Sequence, residues 1–514
     1  MANRILITLL VLCSFSMNAQ IEREGTPVSW NIGQNLTQHS LWQTFELPDV
    51  AGLIAEDEAN MDRSIPFRFA YAHAVSLNLS NAGNWTNLHN GDRIWTLAIE
   101  CTEAFSIGIT FGYMTLPRGG KIYLYSEDHR DYIGPLTSAD NRLAQLGTTQ
   151  ISGSRLIIEY YEPYAYRGEG DFQIAYISHA YRNIGDASQA ISETCFQLFN
   201  NALNSGRNSS ASVLRMLVDN GQRIATATLI NNTNYNGLPY VITSSTALMG
   251  QPASWVFQFG VTGELCNSQP ITCGAMAICG AFVVKTDEET GLTLLRLRSE
   301  PRNDWSAYYS GWKISTEVES GENYQSIQHA LGLTQSICIY DTNSEISGLN
   351  GFSTYRLSAP TFGGTFGGST GSPLFDEEMN LVGILIGGDS ECEGTGNDHF
   401  GMISSSWTEF REFLDPQQIA SDKLPGTYPI ISQNFESTDY DVTFFPNPAK
   451  NWIYIQTAED ETLPEVHIHD ASGRSIRHFK PQIPTIDLDG LPEGFYTITF
   501  ILGEKSVSKS LLIR

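Results

Sequence analysis

The chain has 514 residues, 41% of them hydrophobic, which is enough for several domains with their own cores. Only 17% are charged, and 45 glycines, 22 tyrosines and 25 phenylalanines favour strands over helical bundles. The formal net charge of −26 would repel phosphates, so no nucleic-acid partner is expected, and solubility outside the cell accounts for the acidity.

Residues 1–19 read "MANRILITLLVLCSFSMNA". Arg4 supplies a positive start, Ile5 to Phe15 is an apolar stretch too short to span a bilayer, and Ala19 precedes Gln20 at a plausible cleavage point. This predicts a secretory signal peptide. Leu12 before Cys13 is too large for a lipoprotein signal. No later stretch reads as a transmembrane segment. Seven cysteines remain after cleavage: Cys101, Cys195, Cys266, Cys273, Cys279, Cys338 and Cys392. A secreted context predicts disulfides, and the odd count leaves at least one thiol over. Cys266, Cys273 and Cys279 lack the histidine or fourth cysteine that a tetrahedral metal site needs, so no metal and no cofactor is expected.

Residues 20–60 are mixed and partly polar and read as an extended lead-in. Residues 61–188 alternate apolar and polar, as in "RIWTLAIE", "KIYLYS" and "RLIIEYYE", which predicts a β-sandwich. Residues 189–415 carry further short strands, such as "IATATLI", "PYVITSS", "TLLRLR" and "LVGILIGG", between Gly-rich loops. A double β-barrel or a large sandwich suits them, and the fold class is all-β. Residues 416–440 have no periodicity and read as a linker. Residues 441–514 form another small β unit. There His467 and His469 alternate on one strand, with no third ligand in view.

The C-terminal unit resembles the type A sorting domain of the type IX secretion system of Bacteroidetes. The "FPNPA" opening, the "DASGRSI" hairpin, the "LPEGFY" turn and the closing basic strand carry the resemblance. It implies export across the outer membrane, to the cell surface or beyond, by way of that secretion machinery.

"GGSTGSPLF" at 367–375 poses the chemical question. Serine hydrolases of the chymotrypsin arrangement need a hydroxyl on a strained turn, a histidine base and a carboxylate that orients it. Residues 195–410 resemble lysyl endopeptidases and related secreted trypsin-like proteases. "ATATLINNTNYNGLPYVITSSTA" looks like the segment ending in T-A-x-H-C, and "GLTLLRL" looks like D-F-T-L-L-x-L. "GGSTGSPLF" looks like the G-S-S-G-S-P turn, and "GNDHFGMISSSW" looks like D-x-Y-G-R-x-x-x-S-W. The resemblance implies a chymotrypsin-like double β-barrel. Its histidine position falls on Thr246, its aspartate on Gly291 and its serine on Thr370, so no triad member is intact.

Only His329 and His399 lie between 190 and 415. His329 falls in a loop segment of the family and His399 in the candidate pocket wall. Asp287, Glu288 and Glu289 offer carboxylates near Gly291, but a base is still missing. Losing a triad member costs on the order of 10⁴- to 10⁶-fold in rate.

The resemblance implies oxyanion-hole N–H groups at Gly368 and Thr370, and a pocket carboxylate at Asp398 that would pair with a Lys or Arg side chain. Asp398 in "GTGND" also reads as a turn residue, and both readings stay open. It implies a Cys195–Cys392 disulfide. Ala225 and Ala247 fall where the family has another bridged pair, and a local bridge among Cys266, Cys273 and Cys279 is open.

Residues 61–188 resemble the propeptide region of such proteases through "GDRIWTLAI" and "LPRGGKIYLYSED". No lysine occurs between Lys121 and Lys285, so a lysine-cutting enzyme could not release this domain there, although another protease could cut at Arg182. Three readings follow. The chain is a secreted pseudoprotease that binds peptides or proteins with exposed Lys or Arg. Or it is an active endopeptidase using Thr370, or a structural surface protein.

Overall fold

The computed structural model describes residues 20–21, 25–32, 42–59, 63–142, 144–184, 207–262, 276–314, 323–341, 344–390, 394–420, 422–428, 442–445, 449–457, 464–469, 475–480, 485–492, 494–502 and 505–513. The expected signal peptide at 1–19 and the cysteines Cys195, Cys266, Cys273 and Cys392 lie outside them. The architecture is all-β, and the chain divides into two compact units, Met1–Tyr428 and Pro429–Arg514. No helix among the described residues is long and apolar enough to cross a membrane.

Period-two patterning builds a sandwich at the start of the first unit. One sheet runs Leu146–Gly147, Ser106–Thr115, Asp171–Ala180, Ala70–Asn78. The other runs Gln43–Phe45, Arg93–Cys101, Arg155–Glu162, Lys121–Ser126, Tyr132–Leu136. Trp95, Leu97, Ile99 and Cys101 alternate along one strand and share a core with Ile107, Ile109 and Phe111. Each such side chain contributes about 1.5–3 kcal/mol by leaving water.

The lead-in departs from the extended chain expected of it. It carries a helix at Val50–Ala59 as well as a short strand, Gln43–Phe45. Another short helix, Val28–Asn31, sets the Ser29 N–H and hydroxyl on the buried Glu159 carboxylate. Trp30 stands edge-on to Tyr125.

Two large sheets follow. The first runs Gln20–Ile21, Ala277–Cys279, Val256–Gln258, Val213–Val218, Arg223–Leu229, Tyr240–Ser244, Leu292–Leu297, Ala281–Asp287. The second runs Ser336–Asp341, Asn323–Gln328, Pro373–Phe375, Leu381–Gly388, Asn397–Met402, Phe352–Ser358, Ser344–Leu349. Between them, Ile242, Leu292 and Leu294 from one sheet pack with Ile327, Ile384 and Ile386 from the other. This seam positions the cleft described below. The helix Trp407–Leu414 drives Phe410 and Leu414 into the same seam.

The sandwich is fused to the first large sheet. Leu217, Ile224, Val256 and Cys279 belong to the same apolar cluster as Phe69, Ile107 and Ile177. Arg142 donates to the Cys279 carbonyl at 3.2 Å, and the Ser178 hydroxyl donates to the Gly221 carbonyl at 2.8 Å. The expected linker also begins later than its composition suggested. Lys423–Leu424 pairs with Trp312–Lys313, and Thr427 bridges Tyr309, so this stretch is part of the barrel body.

The second unit is a small sandwich, as expected. A three-stranded sheet (Val442–Phe445, Trp452–Thr457, Thr485–Asp487) accompanies a four-stranded one (Ser475–Phe479, Glu465–His469, Gly494–Leu502, Lys505–Ile513). Ile453, Ile468, Ile498 and Phe500 fill its core.

Candidate active site

Thr246 follows the strand Tyr240–Ser244, in a short helical turn whose N–H is capped by the Ser244 hydroxyl at 3.2 Å. Thr370 sits on the turn before the strand Pro373–Phe375 of the other sheet. The seam brings the two side chains together, with Thr246 Oγ1 3.2 Å from Thr370 Oγ1. Ser244 Oγ lies 2.7 Å from Thr246 Oγ1, and Thr370 Oγ1 donates to the Ile386 carbonyl at 3.2 Å. Three hydroxyls thus form a chain that ends on a backbone carbonyl. None of them ionises near neutral pH, so the chain holds no group that could take a proton. Thr370 is fully buried.

Gly291 completes the trio by its backbone alone. Its carbonyl accepts from the Ser245 N–H at 2.7 Å, which sets it beside the Thr246 turn. Its φ is +74°, and a Cβ there would meet the Phe352 ring at 3.0 Å. An aromatic ring therefore occupies the space an orienting carboxylate would need, in a backbone conformation that favours glycine. The nearby Asp287 does not reach across. Its carboxylate accepts from the Glu289 N–H at 2.9 Å and the Thr290 hydroxyl at 2.8 Å, capping its own turn.

Neither histidine is brought to Thr370 by these contacts. His329 is fully buried, with Nδ1 3.0 Å from the Leu333 carbonyl. Burial, aided by the Arg215 charge, pulls its pKa down to about 3, which keeps the ring neutral. His399 follows Asp398 on one strand, so its side chain takes the opposite face. It bonds Thr354 at 3.0 Å and is held below the usual histidine range by burial.

The turn keeps its shape through bonds to both sheets. Thr226 N–H donates to the Thr370 carbonyl at 3.0 Å and its hydroxyl to the Gly368 carbonyl at 2.9 Å. Gly371 N–H donates to the Leu385 carbonyl at 2.8 Å. The N–H groups of Gly368 and Thr370 take no acceptor among the described residues.

Asp398 lies within the strand Asn397–Met402, opposite Gly388 and Leu357, rather than in a turn. It is fully buried. Its Oδ2 accepts from the Tyr340 hydroxyl at 2.8 Å and the Ser390 hydroxyl at 2.7 Å, and its Oδ1 from the Thr365 hydroxyl at 2.8 Å. Burial pushes the carboxyl above its ordinary value, while those three hydroxyls and the charge of Arg63 pull the other way.

Arg63 was not among the residues singled out from sequence. It donates through Nη1 to the Thr365 carbonyl at 2.9 Å and to the Ser390 carbonyl, and its guanidinium lies 5.9 Å from the Phe366 ring centroid. The signal available was its isolation. No Lys or Arg stands between Arg23 and Arg63, and "RSIPF" follows the acidic stretch "AEDEANMD".

The described cysteines are unpaired. Cys101, Cys279 and Cys338 are buried free thiols, so Cys279 takes no part in the local bridge left open with Cys266 and Cys273. The expected Cys195–Cys392 pair lies outside the described residues. Ala225 and Ala247 are fully buried.

In the small sandwich the expectation of no third partner for His467 is corrected. Ligand atoms of Glu465, His467 and His478 lie within 4.8 Å of one another, because a cross-strand pair adds His478 to the residues at i and i+2. Lys480 Nζ also holds Glu465, at 3.2 Å.

The two β sheets meet with a turn hydroxyl from one facing a strand-end hydroxyl from the other, as a chymotrypsin-like double β-barrel would place them. Residues 192–401 match the family model described as lysyl endopeptidase, C-terminal domain, so the barrel region is similar to that domain. Residues 443–514 match the secretion system C-terminal sorting domain. That module engages the type IX secretion machinery and addresses the protein to the cell surface or the extracellular space.

Solved structures similar to the chain include the MamO protease domain from Magnetospirillum magneticum, at 16% identity and a TM-score of 0.27, covering 39% of this chain and 96% of that one. The HtrA-type protease AlgW with tripeptide has 13% identity, a TM-score of 0.29 and coverages of 60% and 94%. The serine endoprotease from Yersinia pestis has 10% identity, a TM-score of 0.29 and coverages of 60% and 95%.

Proposed function

We propose that this is a secreted pseudoprotease, a trypsin-like body that does not hydrolyse peptides and instead grips a basic side chain at the Asp398 pocket. The observation that carries the reading is the contact of Thr246 Oγ1 with Thr370 Oγ1 at 3.2 Å. The histidine and serine positions are adjacent, as catalysis requires, yet both hold threonine. A threonine nucleophile needs a base, and an internal residue has no terminal amine to serve as one. The third position offers no carboxylate, since Gly291 is backed by Phe352.

The pocket supports the second half of the reading. A buried carboxyl with three hydroxyl donors would pair with a cation when ionised, and the Thr365 and Ser390 carbonyls beside those donors already accept from the Arg63 guanidinium. The sandwich stays attached to the barrel as part of the secreted unit, because their cores are continuous.

The test is hydrolysis of mixed Lys- and Arg-containing peptides by the full secreted protein, with Thr370→Ala alongside. No cleavage by either is expected. Cleavage abolished by Thr370→Ala would overturn the reading and require a base from elsewhere. Recovery from culture medium of a mature N-terminus near Ile191 would overturn the joined unit.

A further inference from the structure

Arg63 belongs to the stretch that leads into the sandwich, yet its guanidinium is held by two residues that also hold Asp398. Thr365 and Ser390 each give a carbonyl to Arg63 and a hydroxyl to Asp398. The cation and the buried acid are thus held by the same two residues.

The residues after Arg63 follow the cleft. Ser64 is buried against Gly387, where a Cβ would come within 2.9–3.0 Å of the Ser64 backbone and Cβ. The Pro66 carbonyl accepts from Arg223 at 3.0 Å. Phe67 packs on Gly367, the first residue of the turn motif, where a Cβ would stand 3.2 Å from its ring. The strand Phe67–Arg68 then pairs antiparallel with Ile224 and Arg223.

The segment therefore runs from the residues around Asp398, past Gly367 at the start of the turn motif, to the first residues of the strand Arg223–Leu229. Its far end is anchored, since Arg68 pairs with Asp57 at 2.7 Å and Glu56 at 2.8 Å and donates to the Leu53 carbonyl at 3.0 Å. Arg182 adds a second ion pair to Asp57 at 2.9 Å.

We infer that residues 63–68 are a resident ligand of the proposed pocket, with Arg63 as the gripped side chain and "SIPF" as the extended strand laid along the cleft. This rests on the reading of Asp398 as a gripping site. It names the ligand class: an arginine followed by a short extended, Pro-containing apolar stretch. It also sets the regulation. A tethered ligand acts at an effective concentration on the order of millimolar, so a free peptide competes poorly until the tethered one is removed.

The experiment uses the full secreted protein and a fluorescein-labelled synthetic peptide spanning residues 60–69, followed by anisotropy. The Arg63→Ala protein should bind the peptide at least about tenfold more tightly than the wild type, given that effective concentration. Adding Asp398→Asn should cancel the gain, and a peptide carrying Ala for Arg63 should not bind. Arg63→Lys keeps the charge and should bind as weakly as the wild type, which guards against a folding artefact in the alanine variant.

Equal binding by wild type and Arg63→Ala, or binding indifferent to the peptide arginine, overturns the resident ligand. Mass spectrometry of the same mixtures separates the two readings. Cleavage of the peptide between its Arg63 and Ser64 would sink the non-cleaving reading and leave the resident ligand standing.

Discussion

Thr246 and Thr370, 124 residues apart in sequence, touch through their hydroxyl oxygens at 3.2 Å. The contact links the two sheets, and the Thr370 hydroxyl donates a hydrogen bond to the Ile386 carbonyl. Thr370→Ala is therefore expected to cost stability, not activity. The loss should be about 1–3 kcal/mol, since a buried carbonyl and a buried hydroxyl each lose a partner. Urea unfolding of wild type and variant would measure it, and an unchanged midpoint would contradict the assigned bonds.

Restoring the acid alone should fail. Gly291→Asp places a side chain at φ +74° against the Phe352 ring. The strain is expected to lower stability by about 1–3 kcal/mol. The double variant with Phe352→Ala should not be additive, because the second change removes the clash but not the backbone strain. Thermal unfolding of the four proteins in the cycle checks this.

Asp398 gives the fold a pH dependence of known sign. Burial raises its folded pKa above the unfolded value, so the native state holds the proton more tightly. The stability it contributes is full below the ordinary carboxylate value and is lost as pH rises through the folded pKa. Arg63→Ala removes a charge that lowers that pKa, so the loss should extend to higher pH. Asp398→Asn should flatten the profile. Melting temperatures taken across the acid-to-neutral range would show either trend.

The three described thiols should be inert in the native state. Burial drives Cys101 up to about 12 and raises Cys279 and Cys338, so almost no thiolate is present at neutral pH. Iodoacetamide should label none of them until denaturant is added, as read by peptide mass spectrometry. Native labelling of Cys279 would contradict its place beneath the sandwich.

Sandwich and barrel should melt together. Arg142, Ser178 and Gln150 cross the boundary to Cys279 and Gly221, and the apolar cluster is shared. Calorimetry should show one transition for residues 20–428, and a barrel without the sandwich should melt lower or precipitate.

Much of this was legible in the sequence because strands announce themselves at period two. "PYVITSS" and "LVGILIGG" are strands where the pattern put them. The helix Val50–Ala59 was missed because its apolar residues make no clear stripe, and Arg68 and Arg182 hold its carboxylates from a distance. Asp398 stayed ambiguous because the Gly and Asn residues before it imitate a turn, whereas three hydroxyls from separate segments make its surroundings. Arg63 was invisible for the same reason: its partners lie about 300 residues further on.

The strand Gln20–Ile21 pairs with Ala277–Cys279 at the far end of the first large sheet. A chain emerging from its amino end exposes this pairing edge long before its mate appears, since about half of the sequence separates them. Closure of that sheet is a late, non-local event, and loop-closure entropy makes it slow. For an exported protein, the interval before closure is when an unpaired edge and an uncovered seam are most open to misassociation.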